Sequence, residues 1–131
     1  MRPHLKHGSL AAITALGSFA FAPLSATAMI QCGMASWYDH NGTQSASGET
    51  IDAHALVAAH PSLPFGTKVH IENLGNGRET TVEVNDRGPF THSRLIDVSR
   101  ATAEELGFID GGVARVRIST LDTSGTSHKC P

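Results

Sequence analysis

Residues 68–90, Lys68-Val69-His70-Ile71-Glu72-Asn73-Leu74-Gly75-Asn76-Gly77-Arg78-Glu79-Thr80-Thr81-Val82-Glu83-Val84-Asn85-Asp86-Arg87-Gly88-Pro89-Phe90, decide the fold. Lys68 to Glu72 and Thr80 to Val84 each alternate polar and apolar side chains, the period of a strand with one face buried. Between them, Asn73 to Gly77 carries an Asn-Gly pair, so the whole reads as a β-hairpin. Arg87-Gly88-Pro89 then forces a turn.

Outward from the hairpin the same reading recurs in shorter pieces. Met34 to Tyr38 suits a strand leading into a long loop, Asp39 to Gly48, whose Asn, Gly, Ser and Thr leave little to bury and place it in solvent. Ala53 to His60 is apolar and Ala-rich, and its length leaves short helix and buried strand both open. Pro61 and Pro64 end it. Leu95 to Val98 reads as a strand, Ser99 as the cap of a helix running to Leu106, and Gly107 as its stop. Val113 to Ile118 alternates again. The chain is thus mainly β, with five or six short strands and one clear helix, and it has no solenoid-length repeat. The polar tail from Thr120 to Lys129 is expected to pack poorly until a disulfide holds it.

The N-terminal segment follows other rules. Arg2 and Lys6 precede the apolar run Leu10 to Ala22, and Ala26-Thr27-Ala28 gives a small-x-small cleavage pattern, so residues 1–28 read as a signal peptide. The run is shorter than the roughly 20 residues that cross a bilayer, and no later stretch approaches that length. An uncleaved N-terminal anchor is the rival reading. Cleavage of the 131-residue chain after Ala28 leaves 103 residues, enough for one domain and too few for two. That remainder holds 8 basic and 12 acidic side chains, a net of −4 with histidines neutral, which argues against a nucleic-acid partner. An exported chain meets an oxidising compartment, so Cys32 and Cys130 are expected to form a disulfide. Cys32 as a lipidated N-terminus fits less well, because Met29-Ile30-Gln31 lack the small residues such processing prefers.

Three groups of residues carry candidate chemistry. Asp86 stands at a strand end beside Arg87, Gly88 and Pro89, so it is held in place; an Asp86–Arg87 or Asp97–Arg87 ion pair that merely fixes the turn explains the pattern equally. Glu49 and Asp52, three apart after Gly48, are an acid pair of the kind that glycosidic cleavage uses, or simply a solvated loop. His60, at the end of the apolar stretch, can orient a carboxylate or move a proton near neutral pH, or can be a buried structural histidine. Trp37 and Tyr38, the only Trp and Tyr, adjoin the polar loop and suit either a sugar ring or the core. His54 and His60 are six apart, and no His-Glu-x-x-His, Cys-x-x-Cys, Gly-x-Ser-x-Gly or phosphate-loop motif occurs, so neither a metal nor a cofactor is expected.

Taken in order, Gly33-Met34-Ala35-Ser36-Trp37-Tyr38, Ser45-Ala46-Ser47-Gly48-Glu49, Ala58-Ala59-His60-Pro61-Ser62-Leu63-Pro64-Phe65-Gly66-Thr67, Asn73-Leu74 with Asn76-Gly77-Arg78, Val84-Asn85-Asp86-Arg87-Gly88-Pro89-Phe90, and Arg94 to Ser99 resemble the rare lipoprotein A family from about Gly33 to Ser119. The resemblance implies a six-stranded double-psi β-barrel with one or two short helices over residues 29–131, related in fold to expansins and barwin-like proteins. It also implies an endolytic lytic transglycosylase that breaks the MurNAc–GlcNAc β-1,4 bond of peptidoglycan strands and leaves 1,6-anhydro ends. On that resemblance Glu49, Asp52, His60 and Asp86 are the catalytic residues, with Asp86 or Glu49 as proton donor. Trp37, Tyr38, Ser47 and Arg87 are the substrate-binding ones. The expected protein is an exported monomer, periplasmic or secreted.

The chain departs from the family pattern at Asp39, where members commonly have Gly, and at Ile51, where they have Phe. A separate glycan-binding domain, common in the family, is not evident, so attachment to septal wall is not implied. A non-catalytic, expansin-like polysaccharide binder and a barwin-like secreted effector or inhibitor are the alternative functions.

Overall fold

The computed structural model describes residues 29–120 and 129–131, with Gly17 alone from the N-terminal stretch. The expected signal peptide and most of the polar tail lie outside the described residues. Six strands and one helix follow in order: β1 (Ile30–Tyr38), β2 (Val57–Ala59), β3 (Lys68–Asn73), β4 (Glu79–Asp86), β5 (Ile96–Ser99), α1 (Arg100–Leu106) and β6 (Val113–Ser119).

The hairpin forms as its alternation predicts, with Lys68 opposite Glu83, Val69 opposite Val82 and Glu72 opposite Glu79. Its inward residues Val69, Ile71, Val82 and Val84 are buried. A sheet with one apolar face must cover that face, and here it curls on itself into a closed barrel in the order β1-β5-β2-β4-β3-β6. Closure through β1 and β6, from Ile30 opposite Ser119 to Ser36 opposite Val113, leaves no sheet edge open. Two neighbouring pairs, β1–β5 and β2–β4, are parallel.

The interior is filled by β-branched side chains and alanines: Ala35, Ala58, Val69, Ile71, Val84, Ile96, Val98, Val116 and Ile118 are all fully buried. Each buried Val or Ile contributes about 1.5–3 kcal/mol relative to exposure. The stretch left open between helix and strand resolves as β2, only three residues long. Ala58 sits between Val98 and Val84 of its two neighbours, where a side chain without bulk lets the strands close around the core.

Helix α1 packs Ala103 and Leu106 against this core. Ser99 is its cap, with extended backbone and a hydroxyl that accepts from the Thr102 N–H at 3.3 Å and donates to the Ala55 carbonyl at 2.6 Å. The helix ends at Gly107, whose φ of 73° places it in the left-handed region. A Cβ there would also stand 2.6 Å from the Arg78 guanidinium. Cys32 and Cys130 are bonded, as expected, which ties residues 129–131 to β1 and leaves no thiol on Cys32 for a lipid. Arg115 donates to the Pro131 carbonyl beside that bond. Among the described residues no helix is long and apolar enough to cross a membrane.

Candidate active site

The strand registers assemble a row of residues on the barrel's outer face. Ser36 on β1 is opposite Asp97 on β5, Asp97 is opposite Ala59 on β2, and Ala59 is opposite Asp86 on β4. Residues opposite one another share a face of the sheet. The next row, Trp37, Val98, Ala58 and Val84, faces the core, so Ser36, Asp97, Ala59 and Asp86 face out. A register shift between Ala58 and Ala59 puts Asp86, rather than Asn85, opposite Ala59. A bulge of this kind re-aims side chains, and here it brings the second carboxylate into the row. The backbones of Asp97 and Asp86 lie two strand spacings apart, roughly 9–10 Å, with only a methyl group between them.

The two acids have different surroundings. Burial raises the Asp97 carboxyl above the ordinary carboxylate range, and the charge of Asp86 adds to the rise. The Ser36 hydroxyl, donating to Asp97 Oδ1 at 3.3 Å, and the nearby His40 oppose it. Asp86 Oδ1 accepts two backbone N–H groups, from Ala46 at 2.9 Å and from Arg87 at 2.8 Å. Tyr38 faces the same acids: burial first, then the charges of Asp97, Asp86 and Asp52, push its phenol far above its usual value, so it stays a hydroxyl donor. The His40 ring lies 5.2 Å from the Tyr38 ring. Asp97, Asp86, Tyr38, Asp52 and His40 therefore form one electrostatic cluster.

The polar loop docks onto this cluster. Its residues are exposed as expected except Ser47, which is half-buried, and Ser45, which is buried with its N–H donating to the Glu49 carbonyl and its hydroxyl paired with that of Ser47 at 2.8 Å. Ser47 also accepts the Glu49 N–H at 3.3 Å and gives its own N–H to the Asn85 carbonyl. Glu49 takes a hydrogen bond from the Asn85 amide at 3.4 Å. Asp52 accepts the His54 N–H at 2.9 Å, a local turn that holds it at the loop's far end.

Three predicted site residues stand apart from the cluster. Trp37, next to Tyr38 but on the opposite side of β1, packs against the core with the Arg100 guanidinium 5.7 Å from its ring. His60 is buried with both ring nitrogens engaged: Nδ1 accepts the Ser62 and Leu63 N–H groups, each at 3.1 Å, which leaves Nε2 to donate to the Gln31 amide oxygen at 3.1 Å. Arg87 forms neither turn-fixing ion pair considered from the sequence. It stands just past the end of β4, donates to the carbonyls of Leu63 at 2.7 Å and His60 at 3.3 Å, and lies over the Phe65 ring at 4.0 Å. His60 and Arg87 together pin the loop of residues 60–65.

Burial and the charge of Arg87 hold His60 below its usual value of 6.5. A base whose folded value is lowered contributes stability above 6.5 and loses it as pH falls toward the folded value. Protonation would also remove the acceptor that Ser62 and Leu63 share. The melting temperature is therefore expected to fall with acidification below pH 6.5, and His60→Gln is expected to flatten that slope. Thermal melts across pH 4–8 check it; an unchanged slope in the variant would refute the assignment.

Reasoning from the sequence missed Asp97, Ser36 and His40 as site residues. The available signal was a lone carboxylate within the apolar strand Leu95-Ile96-Asp97-Val98, which was read only as a possible partner for Arg87. Among the described residues no three His, Cys, Asp or Glu side chains are grouped to hold a metal ion.

The structure is thus a closed six-stranded β-barrel carrying a half-buried carboxyl and a backbone-clamped one on its outer face. The chain belongs to the double-psi β-barrel family described as lytic transglycolase, whose model matches residues 30–118. Among curated relatives it is 42% identical over 124 residues to the endolytic peptidoglycan transglycosylase RlpA of Pseudomonas aeruginosa, covering 92% of this chain and 36% of that protein. It is 50% identical over 92 residues to the probable endolytic peptidoglycan transglycosylase RlpA of Treponema pallidum, covering 69% of this chain and 29% of the relative. The chain thus spans about a third of the length of these proteins. Among solved structures it is similar to the Streptomyces papain inhibitor, at TM-score 0.58 and 26% identity over 71% of this chain and 96% of the inhibitor. A Clavibacter michiganensis expansin shares the fold at TM-score 0.60 and 18% identity, over 79% of this chain and 54% of the expansin.

Proposed function

We propose that this domain is an endolytic lytic transglycosylase, cleaving the MurNAc–GlcNAc β-1,4 bond of peptidoglycan strands to give 1,6-anhydro ends. The observation that carries the reading is the row Asp97–Ala59–Asp86, two carboxyl groups in unlike environments on the barrel's outer face, in a chain whose family relatives are named for this reaction. Burial favours the protonated form of Asp97, which suits it to donate a proton.

In the proposed step Asp97, protonated, gives its proton to the glycosidic oxygen. The bond from that oxygen to the MurNAc anomeric carbon breaks, and positive charge develops on the sugar carbon. Asp86, fixed by two N–H groups, stabilises that charge. The MurNAc 6-hydroxyl attacks the anomeric carbon and returns its proton to Asp97, so no water is consumed and the enzyme is regenerated. Tyr38 donates to a sugar oxygen, and Glu49, Asp52 and Ser47 bind the strand from the loop clamped over Asp86. His60 and Arg87 act as positioning residues through the loop of residues 60–65. The proton donor is thus assigned to Asp97 in preference to Glu49 or Asp86, because burial favours the protonated form there.

The disulfide and relatives named for a peptidoglycan reaction favour an exported protein, periplasmic or secreted, that works on glycan strands; the proposal takes it to act as a monomer. The fold shared with an expansin solved in complex with cellohexaose favours a second reading, in which the face binds polysaccharide without cutting it. Release of soluble fragments from peptide-stripped glycan strands separates the two. The wild type is expected to release them, and Asp86→Asn to do so at least about 100-fold more slowly; retained binding with no release by the wild type would favour the second reading.

A further inference from the structure

Phe90 is 84% exposed, far more than any other large apolar side chain among the described residues; Phe65, the next, is 41% exposed. A phenylalanine left in water forgoes most of the free energy its burial would supply. The position of the ring is nonetheless built. It lies along Gly88, where a Cβ would stand 3.5 Å from Cε2, 3.7 Å from Cδ2 and 3.9 Å from Cζ. Gly88 has a φ of 110°, a conformation that strains any residue with a side chain, so backbone rather than side chain supports the ring.

The surroundings say what such a ring would meet. Phe90 follows Asp86 by four residues, so their backbones are at most about 14 Å apart even if the turn were fully extended. In the same turn Arg87 lies over the Phe65 ring, and the exposed Thr91, His92 and Ser93 that follow Phe90 in the chain add hydroxyls and an imidazole. One open aromatic surface rimmed by small polar groups matches a pyranose, which presents a C–H face edged by hydroxyls. A protein partner would need a contiguous apolar patch, and a stable interface buries more than about 1,000 Å²; a single ring offers a small fraction of that.

We propose that Phe90 forms a stacking subsite for a sugar ring of the glycan strand, carried by the turn that follows Asp86. The inference rests on the glycan-cleaving reading and adds a specific binding residue to it.

The test measures binding of peptide-stripped glycan strands to protein carrying Asp86→Asn, so that cleavage does not intervene, alone and combined with Phe90→Ala, Phe90→Leu or Phe90→Trp. Loss of the ring is expected to weaken binding about 10-fold, with Phe90→Leu close to Phe90→Ala and Phe90→Trp at least as tight as the parent. Melting temperatures should agree across the set, since the ring buries little. In an otherwise wild-type chain, Phe90→Ala should raise KM and leave kcat unchanged. Equal affinities for the parent and Phe90→Ala would overturn the subsite while leaving the glycan reading intact. Equal weakening by Phe90→Leu and Phe90→Trp would overturn stacking. A wild-type chain that neither binds nor cleaves the strands would overturn both.

Discussion

Asp97→Asn is expected to slow glycan cleavage by about 10²- to 10⁴-fold, the usual contribution of a positioned general acid. The asparagine keeps the shape of the side chain and an oxygen to accept the Ser36 hydroxyl, which now stands 3.3 Å from Oδ1. It lacks the proton. Wild-type activity should accordingly decline as pH rises through the Asp97 midpoint, which burial sets above the ordinary value of 3.8. The contribution of Asp97 to stability should move the same way as activity. A carboxyl whose folded value is raised binds its proton more tightly in the folded state, so its contribution is fully favourable below 3.8 and is lost as pH rises toward the folded value. Above its folded midpoint the wild type carries a partly buried carboxylate facing the charge of Asp86, and Asp97→Asn removes that repulsion. The variant should therefore melt at or above the wild-type temperature at pH 7 and lose more stability than the wild type on acidification from pH 7 to pH 4, since the stabilising protonation of Asp97 no longer offsets the protonation of His60. Near-complete activity in Asp97→Asn would remove Asp97 from the mechanism; lost activity with a much lower melting temperature would make it a structural residue.

The second large effect concerns the disulfide. Cys32 and Cys130 are 98 residues apart, and closing a loop of that length costs the unfolded chain entropy worth about 4–5 kcal/mol. For a domain whose total stability is about 5–15 kcal/mol this is a large share. Substituting both cysteines with serine is expected to lower the melting temperature by roughly 20–30 °C. Catalysis should survive below the new transition, because the β1–β6 ladder from Ile30 to Ser119 already closes the barrel without the bond. The acid row, on β1, β5, β2 and β4, lies outside the segment that the bond ties down. Melts of oxidised, reduced and doubly substituted protein, with cleavage assayed at low temperature, check both halves. An unchanged melting temperature would show that the bond constrains nothing that unfolding releases.

Much of the fold is local and so was legible. The hairpin announces itself because a buried face imposes a period of two on Val69, Ile71, Val82 and Val84, and α1 because Ser99 and Gly107 satisfy its orphan end groups. Strand β1 begins earlier than the sequence suggested, at Ile30, because its first residues gain their partners from β6, more than eighty positions away. The barrel order is likewise a matter of long-range pairing, and only the family resemblance supplied it. The site divides along the same line. Asp86, Glu49 and Asp52 stand out as polar residues in turns and loops. Asp97 does not, because its importance comes from two registers and a bulge that place it two strands from Asp86. For His60 the sequence leaves proton carrier and buried structural histidine both open, because only the fold brings the N–H groups of Ser62 and Leu63 to its Nδ1.

The most direct test of the account is mass spectrometry of the soluble products that the purified domain releases from peptide-stripped glycan strands. Fragments ending in 1,6-anhydro sugar, one water lighter than hydrolysis products and absent with Asp97→Asn, are the predicted result; reducing ends, or anhydro ends still formed at the wild-type rate by Asp97→Asn, would contradict it.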